Sequence, residues 1–369
     1  MSSKKIKVAQ IIASVAEGGI EMMIMNLYRN IDHDKVEFHF LVPNTSLIIN
    51  AQEIESYGGK VTIVPSIKRY FKYKKALKTI FKREKYDIVH ANMNALSFIP
   101  LSVAKKCSIP VRISHSHSTS HKKEGLRHIV KQLLRPFSKR YATHYFACSE
   151  KAGRWLYGDK AFDSNKVTII NNAIDFEKYS FNEDVRKEIR NSLNIGENQK
   201  VIGHIGRFMS QKNHVFLLEI FQELQKFNPN TVLLLVGNGE RFDEIKNFVS
   251  NKGIKNVIFT GSVPNTSAYY QAMDCFCLPS LYEGLPVVGV EAQANGLKCF
   301  FSSEITKEAA INKQTQFLDL ASGAKKWAEE INEFLIKDKL RCSSGLDNKF
   351  NIKFIADDLL RLYTEIVKW

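Results

Sequence analysis

Short, β-branched apolar runs alternate along this chain with longer segments whose apolar residues recur at helical spacing, and the alternation starts again near the middle. The first set of runs covers 8–14, 37–42, 61–64, 86–90, 111–115, 145–148 and 167–170, with helical spacing over 20–30, 70–85, 95–105 and 127–139. Continuous apolar runs of this length read as strands buried on both faces, and the helices between them are the crossovers a parallel sheet requires. A polar stretch follows at 171–200. The grammar then repeats with strands at 201–206, 231–236, 257–260 and 275–278 and helices at 214–226, 241–251 and 287–295. The expectation is an α/β protein of two doubly wound parallel-sheet domains, 1–180 and 181–352. A terminal helix at 353–369 (Ile355, Leu359, Leu360, Leu362, Tyr363, Ile366 on one face) is expected to pack back toward the first domain.

A chain of 369 residues with 44% hydrophobic and 25% charged residues suits two such domains. No apolar run approaches the ~20 residues of a membrane-spanning helix. The first 16 residues set lysines before an apolar stretch, as a leader does, but they run directly into Glu17-Gly18-Gly19 and read as a first buried strand. Six cysteines lack ligand-like spacing, which fits a reduced, cytoplasmic protein.

The net charge of +15 calls for an acidic partner. Two segments hold almost all of it: 66–85 carries nine Lys/Arg against one acid, and 121–140 seven against one. Both interleave apolar residues, Tyr70, Phe71, Tyr73, Leu77, Ile80 and Phe81 in one, Leu126, Ile129, Val130, Leu133, Leu134 and Phe137 in the other. They read as basic amphipathic helices suited to the anionic inner face of a membrane, or as outer helices of the sheet. A nucleic-acid partner is disfavoured, because zinc-finger spacing, helix-turn-helix cues and aromatic recognition motifs are missing.

The densest motif is Glu283-Gly284-Leu285-Pro286-Val287-Val288-Gly289-Val290-Glu291. Pro286 favours a first helical position, which puts Glu283 in the preceding loop and Glu291 on the second turn. The helix start offers N–H groups to an anion, and the two carboxylates offer acceptors to hydroxyls. Gly206-Arg207 with Lys212, and Gly237-Asn238-Gly239, close two strands at the sheet edge where ligands bind. Gly18 and Gly19 close the first strand but do not form the Gly-x-Gly-x-x-Gly dinucleotide fingerprint. Ser114-His115-Ser116-His117-Ser118 follows a strand; its two histidines suit a sugar or phosphate contact, with no carboxylate or cysteine nearby in sequence to complete a metal site. Asp32-His33-Asp34 reads as a turn.

Together these motifs resemble the retaining, nucleotide-sugar-dependent glycosyltransferases of the GT-B type that build bacterial capsules and exopolysaccharides. The resemblance also covers Asn171-Asn172-Ala173-Ile174-Asp175, where many relatives carry Asn-Gly-Val-Asp. It implies two Rossmann-like domains facing a central cleft, a UDP-linked donor as substrate, no metal and no other cofactor, and a glycan or lipid-linked acceptor. By the same resemblance Arg207 and Lys212 neutralise the diphosphate, Glu291 accepts from ribose, and Glu283 contacts the donor sugar beside the amides of Gly284 and Leu285. Gly18, Gly19, Gly237 and Gly239 line the donor or acceptor, and His115 or His117 sits near the reacting carbon. A sugar-nucleotide epimerase of the same fold and an inactive sugar-nucleotide-binding subunit are the alternatives.

Overall fold

A computed structural model gives the fold and describes residues 4–12, 19–44, 49–117, 126–337 and 341–367. The chain divides into two compact units, residues 1–173 with 349–369, and residues 174–348.

Among the described residues the first unit holds seven strands: β1 (Ile6–Ile12), β2 (Val36–Val42), β3 (Lys60–Ile63), β4 (Ile88–Asn92), β5 (Val111–Ser116), β6 (His144–Ala147) and β7 (Val167–Ile169). They form one parallel sheet in the order β3-β2-β1-β4-β5-β6-β7. The order reverses between β1 and β4, where Ile12 pairs with Asn92, so the C-terminal ends of these strands form the switch point at which open α/β sheets bind ligands. The helix Ile352–Ile366 belongs to this unit. Asn351 caps it by accepting from the Lys353 amide, and Ile352, Ile355, Ala356, Leu359 and Tyr363 join Val8, Ile24, Phe38 and Ile113 in one core.

The second unit repeats the plan with β8 (Lys200–Ile205), β9 (Thr231–Val236), β10 (Val257–Gly261), β11 (Cys275–Leu278), β12 (Lys298–Ser302) and β13 (Thr315–Leu318). Its order is β10-β9-β8-β11-β12-β13, again parallel, with the switch point between β8 and β11. Every residue of β9 is buried, which is why its pattern is continuous and not alternating.

Two strands beyond the sequence reading, β12 and β13, extend this second sheet; each is short, and β13 is only half-buried. The segment read as a helix at 95–105 divides into a 3-10 turn, Asn94–Ser97, and the helix Phe98–Lys106. The segment at 127–139 likewise divides, at Pro136, into the helix Leu126–Leu134 and the 3-10 turn Arg135–Lys139, since proline supplies no N–H for a continued α-helical ladder.

Candidate functional site

In the second unit, β8 leads through Gly206 and Arg207 to the 3-10 turn Ser210–Lys212, and left-handed Asn213 then turns the chain into the helix His214–Phe227. The neighbouring strand β11 leads through a loop to the helix Val287–Ala294. Two hydrogen bonds lock these loops together: Leu281 N donates to Gln211 O at 2.8 Å, and Gln211 Nε2 donates to Tyr282 O at 2.9 Å. Glu283 is thereby held in a nest of donors. Lys212 Nζ lies 2.6 Å from its Oε1, Ser280 Oγ donates to the same oxygen at 3.0 Å, and Gln211 Nε2 donates to Oε2 at 3.0 Å. Glu283 is only 9% exposed.

Around this nest the chain stays open in places. A side chain at Gly284 would meet nothing within 4 Å. Leu285 is buried and anchors the loop. Pro286 is the residue before the helix and not its first, one position earlier than the motif suggested, and no side chain caps the helix start. Arg207 is exposed and has no hydrogen-bond or ion-pair partner among the described residues. Glu291 sits on the second turn with both oxygens bound, Oε1 by Tyr179 Oη at 2.8 Å and Oε2 by Tyr270 Oη at 2.7 Å. Burial pushes its carboxyl pKa up, and the two phenol donors oppose that rise.

The glycines after β9 have a packing reason of their own. Gly237 has φ +129, and a Cβ there would stand 2.2 Å from Gly206 O. A Cβ on Gly239 would stand 2.5 Å from Phe208 O. Contact between two backbone loops accounts for both, whatever else they line.

In the first unit, β5 delivers His115 and then His117 beyond its end, and β4 delivers His90 and Asn92 beside them. His115 Nδ1 lies 2.9 Å from His90 Nε2, and His90 Nδ1 lies 2.6 Å from Tyr363 Oη. His117 Nε2 lies 2.9 Å from Asn92 Oδ1, and the His117 amide donates to Asn94 Oδ1 at 2.7 Å. Burial holds all three rings neutral: the pKa values of His90 and His117 fall to about 3, and that of His115 falls well below the ordinary value. Asn92 and Asn94 also line a cavity of about 290 Å³ bounded by Ile12, Ile20, Leu96 and Trp155. Gly19 opens the helix Gly19–Asn30 in this unit, while Gly18 lies outside the described residues. Asp32 is in a turn, paired with Lys35, as its sequence suggested. Among the described residues no group of three or more His, Cys, Asp or Glu side chains is arranged to hold a metal.

Residues 17–178 match the family Glycosyltransferase Family 4, and residues 185–345 match Glycosyl transferases group 1. A relative named glycosyltransferase EpsF, from Bacillus subtilis (strain 168), is 34% identical over 90% of this chain and 88% of its own. The chain belongs to the group 1 glycosyltransferases. The capsular polysaccharide biosynthesis glycosyltransferase CapH of Staphylococcus aureus is 29% identical over 97% of this glycosyltransferase and 98% of its own length. Anabaena HepE (Alr3699), solved in complex with UDP and glucose, superposes with a TM-score of 0.79 over 97% of this chain and 99% of its own; at 16% identity the likeness is one of fold.

The second unit of the glycosyltransferase thus brings Lys212 to Glu283 and sets Gly237 against Gly206, with Arg207 on the loop after β8, Gly239 on that after β9, and Gly284 and Leu285 on that after β11. Glu291 is instead bonded to Tyr179 and Tyr270, and His115 and His117 lie at the end of β5 in the first unit. Sequence reasoning missed the side chains that hold them. Ser280 and Gln211 were within reach, being three residues before Glu283 and next to Lys212. Gln10 was visible as a polar residue inside an apolar run. Tyr179, Tyr270 and Tyr363 gave no signal, since a tyrosine on an apolar face reads as packing.

Proposed function

We propose that this glycosyltransferase takes a nucleotide diphosphate sugar, UDP-linked, in its second unit and transfers the sugar, with retention of anomeric configuration and without a metal, to a glycan or lipid-linked acceptor of cell-surface polysaccharide synthesis. The observation that carries the reading is the Lys212–Glu283 nest, with open space at Gly284 and an uncapped helix start after Pro286. A cation from the loop after β8 meets a carboxylate and an uncapped helix start from the loop after β11, the combination a sugar diphosphate requires. Arg207 and Lys212 stabilise the diphosphate as the bond to the sugar breaks. Glu283 and Glu291 accept from sugar and ribose hydroxyls. The acceptor oxygen bonds to the sugar carbon from the face the diphosphate leaves, and the acceptor proton passes to the departing phosphate. HepE, bound to UDP and glucose, and CapH, named for capsule synthesis, support the donor and the pathway class.

The acceptor falls to the first unit, whose 290 Å³ cavity is walled mainly by apolar side chains. Docking on the inner membrane face is assigned chiefly to the segment 126–140. Ile129, Val130, Leu133 and Phe137 are exposed there beside Lys139 and Arg140, with Leu133 at 67%. The other basic helix, Tyr70–Glu84, buries Tyr73, Leu77, Ile80 and Phe81 in the core and leaves Tyr70 and Phe71 outside. Thermal-shift measurement with UDP-glucose, UDP-galactose and their N-acetyl forms tests the donor: the cognate sugar raises the melting temperature, and no response to any of them refutes the reading. The anomeric coupling constant of the product tests retention, and turnover in EDTA tests metal independence. Flotation with anionic liposomes tests docking, which fails if the protein stays in the soluble fraction.

A further inference from the structure

The histidines of the first unit are wired into a buried chain of hydrogen bonds whose direction can be worked out. Gln10 Nε2 donates to Tyr363 Oη at 3.2 Å. The phenol has one hydrogen and its amide neighbour is already a donor, so that hydrogen goes to His90 Nδ1, 2.6 Å away. His90 then carries its proton on Nε2 and donates to His115 Nδ1 at 2.9 Å, which leaves His115 protonated on Nε2. The second branch starts from the same glutamine. Asn92 Nδ2 donates to Gln10 Oε1 at 2.9 Å and also faces the His90 carbonyl at 3.5 Å. Only an amide nitrogen suits those two acceptors, so Asn92 turns its oxygen to His117. His117 donates from Nε2 to that oxygen at 2.9 Å and keeps a bare Nδ1.

Two nitrogens at the ends of these branches have no hydrogen-bond partner, His115 Nε2 and His117 Nδ1. Both residues are more than nine-tenths buried, at 1% and 8% exposed, and their rings stand 3.9 Å apart between centroids. Buried polar atoms are usually partnered, and these two differ from the unpartnered nitrogens of His214, whose ring is packed on Phe208, in standing at the C-terminal edge of the sheet, where ligands bind.

We infer that Tyr363 and Asn92 are positioning residues: they fix the tautomers of His115 and His117 so that the neighbouring rings offer one N–H donor and one bare nitrogen acceptor to an uncharged hydroxyl of the substrate. A hydroxyl is both donor and acceptor and matches the pair; a phosphate oxygen has no proton for His117 Nδ1. The inference rests on the sugar-transfer reading for the identity of the hydroxyl, but not for the tautomers. Neutrality is required, and the low pKa values of His90 and His117 supply it.

The test is a long-range 1H–15N spectrum of the full-length protein labelled with 15N-histidine at pH 7, with His115→Gln and His117→Gln used for assignment. Both rings are expected in the Nε2–H form. Tyr363→Phe, which keeps the ring that fills the core, is expected to shift His115 toward the Nδ1–H form while His117 stays unchanged, and to lower kcat/KM about ten-fold, the worth of one hydrogen bond. A proton on Nδ1 of either His115 or His117 in the wild type overturns the inference even if the variant does not fold, and so does a Tyr363→Phe spectrum with His115 unmoved. UDP-glucose, UDP-galactose and their N-acetyl forms are then added in turn. A sugar that raises the melting temperature and shifts both nitrogens upholds the hydroxyl assignment; one that binds and shifts neither removes it and leaves the sugar-transfer reading standing. If no sugar binds, that reading and the hydroxyl assignment fall together, and the tautomers still decide the relay.

Discussion

Lys212 and Glu283 are bound to each other: Nζ and Oε1 stand 2.6 Å apart, with both side chains nearly sealed from solvent. The cation that suits a diphosphate and the carboxylate that suits a sugar hydroxyl therefore hold one another in place. Lys212→Met leaves Glu283 as a buried charge with only Ser280 and Gln211 as donors. A loss of roughly 3 kcal/mol in urea unfolding is expected, the cost of breaking a buried pair from one side. Donor turnover should fall about 100-fold, as it does when one electrostatic stabiliser is removed. A variant of wild-type stability would show that the pair does not hold the loop.

Glycines in this site divide into two kinds, and alanine separates them. Gly284→Ala adds a methyl group into open space, so the melting temperature should not change while the donor KM rises. Gly237→Ala places a Cβ against Gly206 O at a φ that disfavours side chains, and Gly239→Ala collides with Phe208 O. Both should destabilise by about 2 kcal/mol or more through strain. Equal melting temperatures for all three would contradict the packing described.

His214 is stacked on Phe208 at 4.1 Å with neither ring nitrogen bonded. Burial lowers its pKa from 6.5 to about 2, chiefly by desolvation and then by the charges of Lys212 and Arg241 and by His204. The unfolded chain therefore takes up this proton first. Stability attributable to His214 is intact above pH 6.5 and is lost as pH falls below it, at ~1.4 kcal/mol per pH unit. His214→Phe should remove that part of the acid sensitivity. Urea unfolding at pH 7 and pH 5 measures it, and identical pH slopes for variant and wild type would refute it.

Glu291 has the opposite sign. Its pKa is raised by burial above the ordinary value of 4.5, so the folded state holds the proton longer than the unfolded chain. Its contribution favours folding below that value and declines as pH rises from there through the folded pKa. The stability of Glu291→Gln relative to wild type should increase over that climb. Tyr270→Phe removes one phenol donor and should cost ~1–3 kcal/mol by leaving a buried oxygen unpaired. Chemical denaturation of the two variants at pH 4 and pH 7 distinguishes these effects.

Legibility in the sequence followed locality. Strand β9 was read to the residue because all six of its residues are buried and polar stretches bound it. Strands β12 and β13 were missed because the Asn295-Gly296 turn before β12 is only two residues long, and the four residues of β13 are half-buried and form no continuous apolar run. Glu283, Arg207 and Lys212 stood out as charges beside glycines at strand ends. Gln10 and Tyr363, 353 positions apart, meet only in the folded unit, and nothing local to either announces the bond. The basic helix Tyr70–Glu84 showed the limit of charge patterning: its apolar stripe is core, and only Tyr70 and Phe71 remain outside.

The helix Ile352–Ile366 supplies Tyr363 to a sheet whose strands are all translated before residue 174. A ribosome therefore releases the second unit's sequence complete while the first still lacks a wall of its interior. The amino-terminal half matures last, and a nascent chain stalled anywhere before residue 352 would carry an unfinished histidine cluster with its hydrophobic flank bare to chaperones.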